Sequence, residues 1–259
     1  MATYREFKRA YIWQLPVRLT HWISALTIFI LAATGIIISN PPAIMSGNEA
    51  SYSYWFGIVR FIHFATAYVF CFSIIVRLYW SFVGNKYSSW RVFFPWKKSS
   101  FRKMKHVMKV DILLQNEKES DYTSIAVGHN PVAALSYFVL YLLCAAQILT
   151  GFALLAPTST WFFPKLFAWV TGLFGNEFTL RSIHHAVTWL MIIFTLIHVY
   201  LVFYHDWLEG RGEVSSMFSG YKFVAKERLK GARGITPVKD EIADAVKSKE
   251  EEIQESAST

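Results

Sequence analysis

Four long apolar runs, each at least about the length that crosses hydrocarbon, constrain this chain more than any other feature. They cover about residues 21–39, 56–83, 131–156 and 182–204. At about 1.5 Å of rise per residue, roughly 20 such residues span the hydrocarbon core as a helix. The first and third runs contain no charged residue, and the second carries only Arg60 and Arg77. In lipid a lone strand would leave its backbone groups unpaired, so each run is expected to be a helix. Charged residues make up 17% of the chain against 54% hydrophobic, well below the quarter usual in soluble domains. The expected fold is an all-α membrane protein, a four-transmembrane-helix bundle over residues 1–220. Residues 221–259, charged and poor in apolar side chains, read as a solvated or disordered tail.

The 26 Lys and Arg residues are distributed unevenly. Residues 1–20 hold four, the 84–130 connection nine and the chain after 205 another nine, whereas 40–55 holds none and 157–180 only Lys165. Basic segments stay on the cytoplasmic side. Both termini and the 84–130 connection are therefore expected inside, and the two short loops outside. The +8 net charge reflects this rule and anionic lipid headgroups, not nucleic acid. The N-terminal segment is basic and lacks a signal-peptide layout. The stretch 161–174, WFFPKLFAWVTGLF, reads as a short interfacial segment on the outer surface. No phosphate-binding glycine loop, nucleophile motif or C-x-x-C-H haem attachment occurs. Cys71 and Cys144 lie inside runs, where apolar packing is their default.

The histidines carry the chemistry. His184 and His198 stand fourteen residues apart in the fourth run, about 1400° of helical rotation, within about 40° of whole turns and roughly 21 Å along the axis. They share one face at two depths. His185 falls some 140° off that face and is expected to be interfacial or a packing residue. By depth, His63 pairs with His184 towards the outside and His21 with His198 towards the inside. Two haems b stacked across a helix bundle, each held by two imidazoles, account for this pattern. Gly35 and Gly151 would let their helices pass close to the outer haem. Arg77 could neutralise an inner propionate, and Arg60 or Arg181 an outer one. Single imidazoles near helix ends also sit at headgroup level without any ligand role, and Arg77 could simply snorkel to the inner surface. His106 is expected to be solvated among basic neighbours.

The segments RLTHWISALTIFILAATG (18–35) and RSIHHAVTWLMIIFTLIH (181–198) resemble the two signatures of the b-type cytochrome subunit of membrane-bound nickel–iron hydrogenases. That family belongs with the formate dehydrogenase γ-like di-haem cytochromes b. IVRFIHFATAYVF (58–70) and GHNP (128–131) resemble family segments too, so the likeness covers roughly residues 10–220. Ala186 departs from the larger aliphatic more usual there. The resemblance implies that His21, His63, His184 and His198 are the axial iron ligands. It implies as partners a periplasmic hydrogenase small subunit with iron–sulfur clusters and, through it, the large subunit. Electrons from hydrogen would then cross the membrane to a quinone, menaquinone or ubiquinone, near the cytoplasmic face. A nickel–iron centre needs more cysteines than two, so hydrogen activation lies in another subunit.

A quinone site needs a proton donor and carbonyl-binding groups near the inner haem. His129 and Asn130 before the third run, and His205 and Asp206 closing the fourth, are the candidates. The alternative is that Asn130–Pro131 only starts a helix and Asp206 is solvated. Three other readings remain: the cytochrome anchor of a formate dehydrogenase or thiosulfate reductase, a haem-free anchor, and a metal-ion transporter using intramembrane histidines. The transporter would call for acidic residues beside those histidines within the runs, and there are none.

Overall fold

The computed structural model describes residues 7–42, 54–85, 87–90, 131–209 and 212–225. Among the described residues, four helices are long and apolar enough to cross a membrane. They are α1 (Leu15–Ser39), α2 (Trp55–Val83), α3 (Pro131–Leu155) and α6 (Glu177–Glu209). Between α3 and α6 lie two short helices, α4 (Phe162–Lys165) and α5 (Trp169–Phe174). Helix α7 (Glu213–Ser219) follows α6.

Two of the four helices overrun their apolar runs. Helix α1 starts six residues before His21, with Pro16 in its first turn, where a missing N–H costs nothing. Helix α6 extends the 182–204 run at both ends, from Glu177 to Glu209. Hydropathy marks the part of a helix that suits hydrocarbon; the backbone hydrogen bonds continue past it.

Helices α1 and α2 pack along their length, as do α3 and α6, whereas contacts between these two pairs are sparse. Small polar groups join each pair. Ser24 and Ser73 hydroxyls are 3.0 Å apart, and Ser73 Oγ donates to the Thr20 carbonyl. Across the other pair, Gln147 Nε2 donates to Thr188 Oγ1 at 2.7 Å and to the His184 carbonyl at 3.2 Å. Such bonds and small residues draw membrane helices together where lipid offers no hydrophobic drive. The pairs meet in an apolar core of Phe70, Cys144 and Met191, packed by Ile28, Leu31 and Ile74. Both cysteines are buried and unbridged.

The expectation of helices alone omits one element. Strand β1 (Phe7–Tyr11) pairs antiparallel with β2 (Tyr221–Ala225), Arg9 opposite Phe223. The first five residues of the expected tail are therefore ordered in a ribbon. Arg9 stacks on the Tyr221 ring, its guanidinium carbon 4.1 Å from the centroid, and Tyr11 packs against the same ring. The ribbon and α7 close one end of the bundle, called here the terminal end. The opposite, loop end carries α4 and α5.

The terminal end is held by named polar contacts. Gln14 Oε1 accepts from Trp80 Nε1 and from the Asn85 amide, both at 2.9 Å, and Asn85 Nδ2 donates to the Ile12 carbonyl. Arg18 Nη1 donates to the Phe218 carbonyl and Trp22 Nε1 to that of Met217, covering carbonyls that α7 leaves open. The Gly220 carbonyl accepts from the amides of both Ile12 and Trp13. Gly220 has φ +86°, and a Cβ there would stand 2.7 Å from the Trp13 carbonyl. Gly220→Ala is therefore expected to cost at least about 1–2 kcal/mol from the left-handed backbone alone. It should expose the 212–225 segment to protease in detergent, while the spans keep their helical circular dichroism.

Candidate functional site

The four histidines singled out by depth fall into two levels. At the loop end, His63 of α2 and His184 of α6 line one cavity of about 570 Å³. At the terminal end, His21 of α1 and His198 of α6 face each other with ring centroids 6.4 Å apart, and Phe194 stacks on His198. Phe70 and Met191, of the apolar core, also line the loop-end cavity.

Hydrogen bonding fixes the chemistry of the loop-end pair. His63 Nδ1 lies 2.8 Å from Thr34 Oγ1, and His184 Nδ1 lies 2.8 Å from Thr150 Oγ1. Each threonine hydroxyl already donates its one proton to the carbonyl four residues back, Ile30 or Ala146, at 2.6 Å. Towards the imidazole it can only accept, so each histidine carries its proton on Nδ1. That leaves the Nε2 lone pair of both rings for a ligand. His185 differs: its Nε2 accepts from Trp189 Nε1 at 3.0 Å, although the residue also borders the cavity.

The residue after each threonine is a glycine facing the same ring. A Cβ on Gly35 would stand 3.4 Å from His63 Cε1, and one on Gly151 would stand 3.1 Å from His184 Cε1. Both glycines, expected to let a haem approach, line the cavity, but the imidazole edge is what a side chain would meet first.

Arg60 and Arg181 both border the loop-end cavity, together with Glu177. Arg60 also lies over the Phe64 ring, 5.6 Å from its centroid. Arg77, at the terminal end, donates from Nη1 to the Ser88 carbonyl at 3.4 Å. Asp206 is half-buried near the end of α6. His205 belongs to the same helix, but its side chain lies outside what is described, as do His129 and Asn130 entirely. His106 also lies outside the described residues. The four quinone candidates are thus not brought together here.

Several features of these residues fit b-type haem. The glycines leave cradles beside two imidazoles, and the tautomers leave free Nε2 lone pairs. At the other level, His21 Nδ1 is buried without a hydrogen-bond partner among the described residues. With metal–imidazole bonds of about 2.0–2.1 Å, two rings facing one metal lie roughly 6 Å apart between centroids, matching His21 and His198. The cavity volume suits a cofactor pocket. Among the described residues, no three His, Cys, Asp or Glu side chains cluster as a multidentate cation site would require.

Thr34, Thr150 and Gln147 are the site residues that sequence reasoning missed. The available signal was the Thr–Gly dipeptide, which occurs near the loop-end end of both α1 and α3.

Comparison with known proteins agrees. The family model described as prokaryotic cytochrome b561 matches residues 12–220. A relative from Cupriavidus necator, named a probable Ni/Fe-hydrogenase B-type cytochrome subunit, is 34% identical over 227 residues, covering 86% of this chain and 90% of the relative. One of the same name from Azotobacter vinelandii is 32% identical, covering 86% and 92%. The probable Ni/Fe-hydrogenase 1 B-type cytochrome subunit of Escherichia coli is 33% identical, covering 82% and 90%. The four apolar helices and the matched family make this a multi-pass membrane protein, and b-type haem is the cofactor the family implies. The chain belongs to the prokaryotic cytochrome b561 family.

Proposed function

We propose that this chain is the di-haem cytochrome b subunit of a Ni/Fe-hydrogenase complex. In this reading it passes electrons from the iron–sulfur small subunit, on the periplasmic side, across the membrane to quinone. The observation that carries the proposal is the pair of imidazole levels at opposite ends of antiparallel helices, both levels sharing α6. When bound, b-type haem supplies reversible one-electron exchange. The protein's part is to hold two such groups in line. His63 and His184 hold one at the loop end, and His21 and His198 the other at the terminal end. Phe70 and Met191 help keep water from the space between the levels. Arg60 and Arg181 would take the propionates of the first, and Arg77 those of the second. In this reading the basic terminal end faces the cytoplasm and the loop end the outside, as basic segments favour.

The names of the relatives favour a hydrogenase partner over a formate dehydrogenase or thiosulfate reductase. The complex purified through this chain should therefore reduce quinone with hydrogen and not with formate. Formate-driven reduction without hydrogen-driven reduction would reject the assignment. His129→Ala or Asn130→Ala should block hydrogen-to-quinone turnover while both haems stay reducible by hydrogen. Turnover equal to the parent would remove those residues from the quinone site.

A further inference from the structure

Helices α1 and α3 present the same device to their partners. On α1, Thr34 accepts from His63 Nδ1–H while Gly35 leaves room for the ring. On α3, Thr150 and Gly151 do the same for His184. In each case the hydroxyl proton is held by the carbonyl one turn earlier, so the oxygen presents only lone pairs to the imidazole. The loop-end level is therefore built from two like halves, one from each helix pair. The terminal-end level is built differently. Among the described residues, His21 Nδ1 has no hydrogen-bond partner although it is buried.

We propose that Thr34 and Thr150 are twin positioning residues that set the tautomer, ring orientation and donor strength of His63 and His184 towards the iron of the loop-end haem. The proposal rests on the di-haem reading above. A hydrogen bond accepted from Nδ1–H raises the basicity of the opposite ring nitrogen. A more basic ligand favours ferric over ferrous iron and holds the midpoint potential down. Outer partners of this kind change metal affinity by about 10–100-fold when lost. Valine replaces the hydroxyl with a methyl group of similar size, so it removes the acceptor and keeps the shape.

The test is a potentiometric titration of the purified haem-loaded protein, followed optically, for the parent and for the Thr34→Val, Thr150→Val, Thr34→Ser and Thr150→Ser variants. Each valine variant should lower the ferric preference of one haem by about tenfold, an upward shift of about 59 mV for one electron. The second haem, held by His21 and His198, should keep its potential. Each serine variant should titrate like the parent. Valine variants with both potentials unchanged would overturn the proposal. Where valine costs the haem altogether, retention by serine supports the hydroxyl's role and loss with serine as well overturns it. A parent protein without loop-end haem would instead defeat the di-haem reading itself, so the two failures are distinguishable.

Discussion

His184→Ala is expected to remove one of the two b haems proposed for this chain and to leave the other in place. The same result is expected for His63→Ala, because both rings serve the loop-end cavity. His21→Ala and His198→Ala should each remove the other haem, since those two rings face each other at the terminal end. The expected loss is about half of the reduced-minus-oxidised b-band absorbance per chain, with two distinct residual potentials according to level. Hydrogen-driven quinone reduction should fall to background in all four variants, because a chain of electron carriers fails when either member is missing. His185→Ala is the internal control. Its Nε2 bonds to Trp189, so both haems should remain. Two variants of one level that remove different haems would break the pairing.

Gly151→Ala is expected to disturb the loop-end haem far more than Gly35→Ala. At Gly151 a methyl group would stand 3.1 Å from His184 Cε1, closer than ordinary carbon contact, whereas at Gly35 the distance to His63 Cε1 is 3.4 Å. His184 cannot yield freely. Its Nδ1 is held at 2.8 Å by Thr150, and Gln147 ties its carbonyl to α3. Overpacking of this kind costs about 1–3 kcal/mol. At Gly35 the contact is tolerable, and alanine's helix preference over glycine offsets about 0.5–1 kcal/mol. Thermal unfolding with the haem band as readout should show a clear loss for Gly151→Ala and near-parent behaviour for Gly35→Ala. The reverse order would mean that the two glycines answer to the haem plane and not to the imidazole edges.

The parts of the fold legible in the sequence are those that repeat locally. Hydrocarbon imposes a minimum length on every span, so the four runs identified α1, α2, α3 and α6 without reference to one another. Helical rotation placed His184 and His198 on one face, and depth assigned His63 and His21 to separate levels. The ribbon was not legible, because Phe7–Tyr11 and Tyr221–Ala225 are five residues each and lie some two hundred positions apart. Neither strand has a strong alternation of its own, and their pairing follows from the spans returning to one end. Thr34 and Thr150 stayed hidden for a related reason. A threonine in an apolar helix ordinarily bonds its own backbone, and both do so here. Their second bond depends on which helix packs alongside, and no single run of residues records that. Arg18 and Trp22 flank His21 in the sequence, yet their polar groups reach α7, nearly two hundred residues on.

The central claim is that one chain holds two b haems at two levels, and haem counting tests it most directly. The protein is purified with its partners, and haem b per chain is measured alongside a reduced-minus-oxidised spectrum and a redox titration. Two haems per chain with a b-type band and two resolvable potentials are predicted. A single haem that survives loss of either His63 or His198, or no b-type band at all, would contradict it.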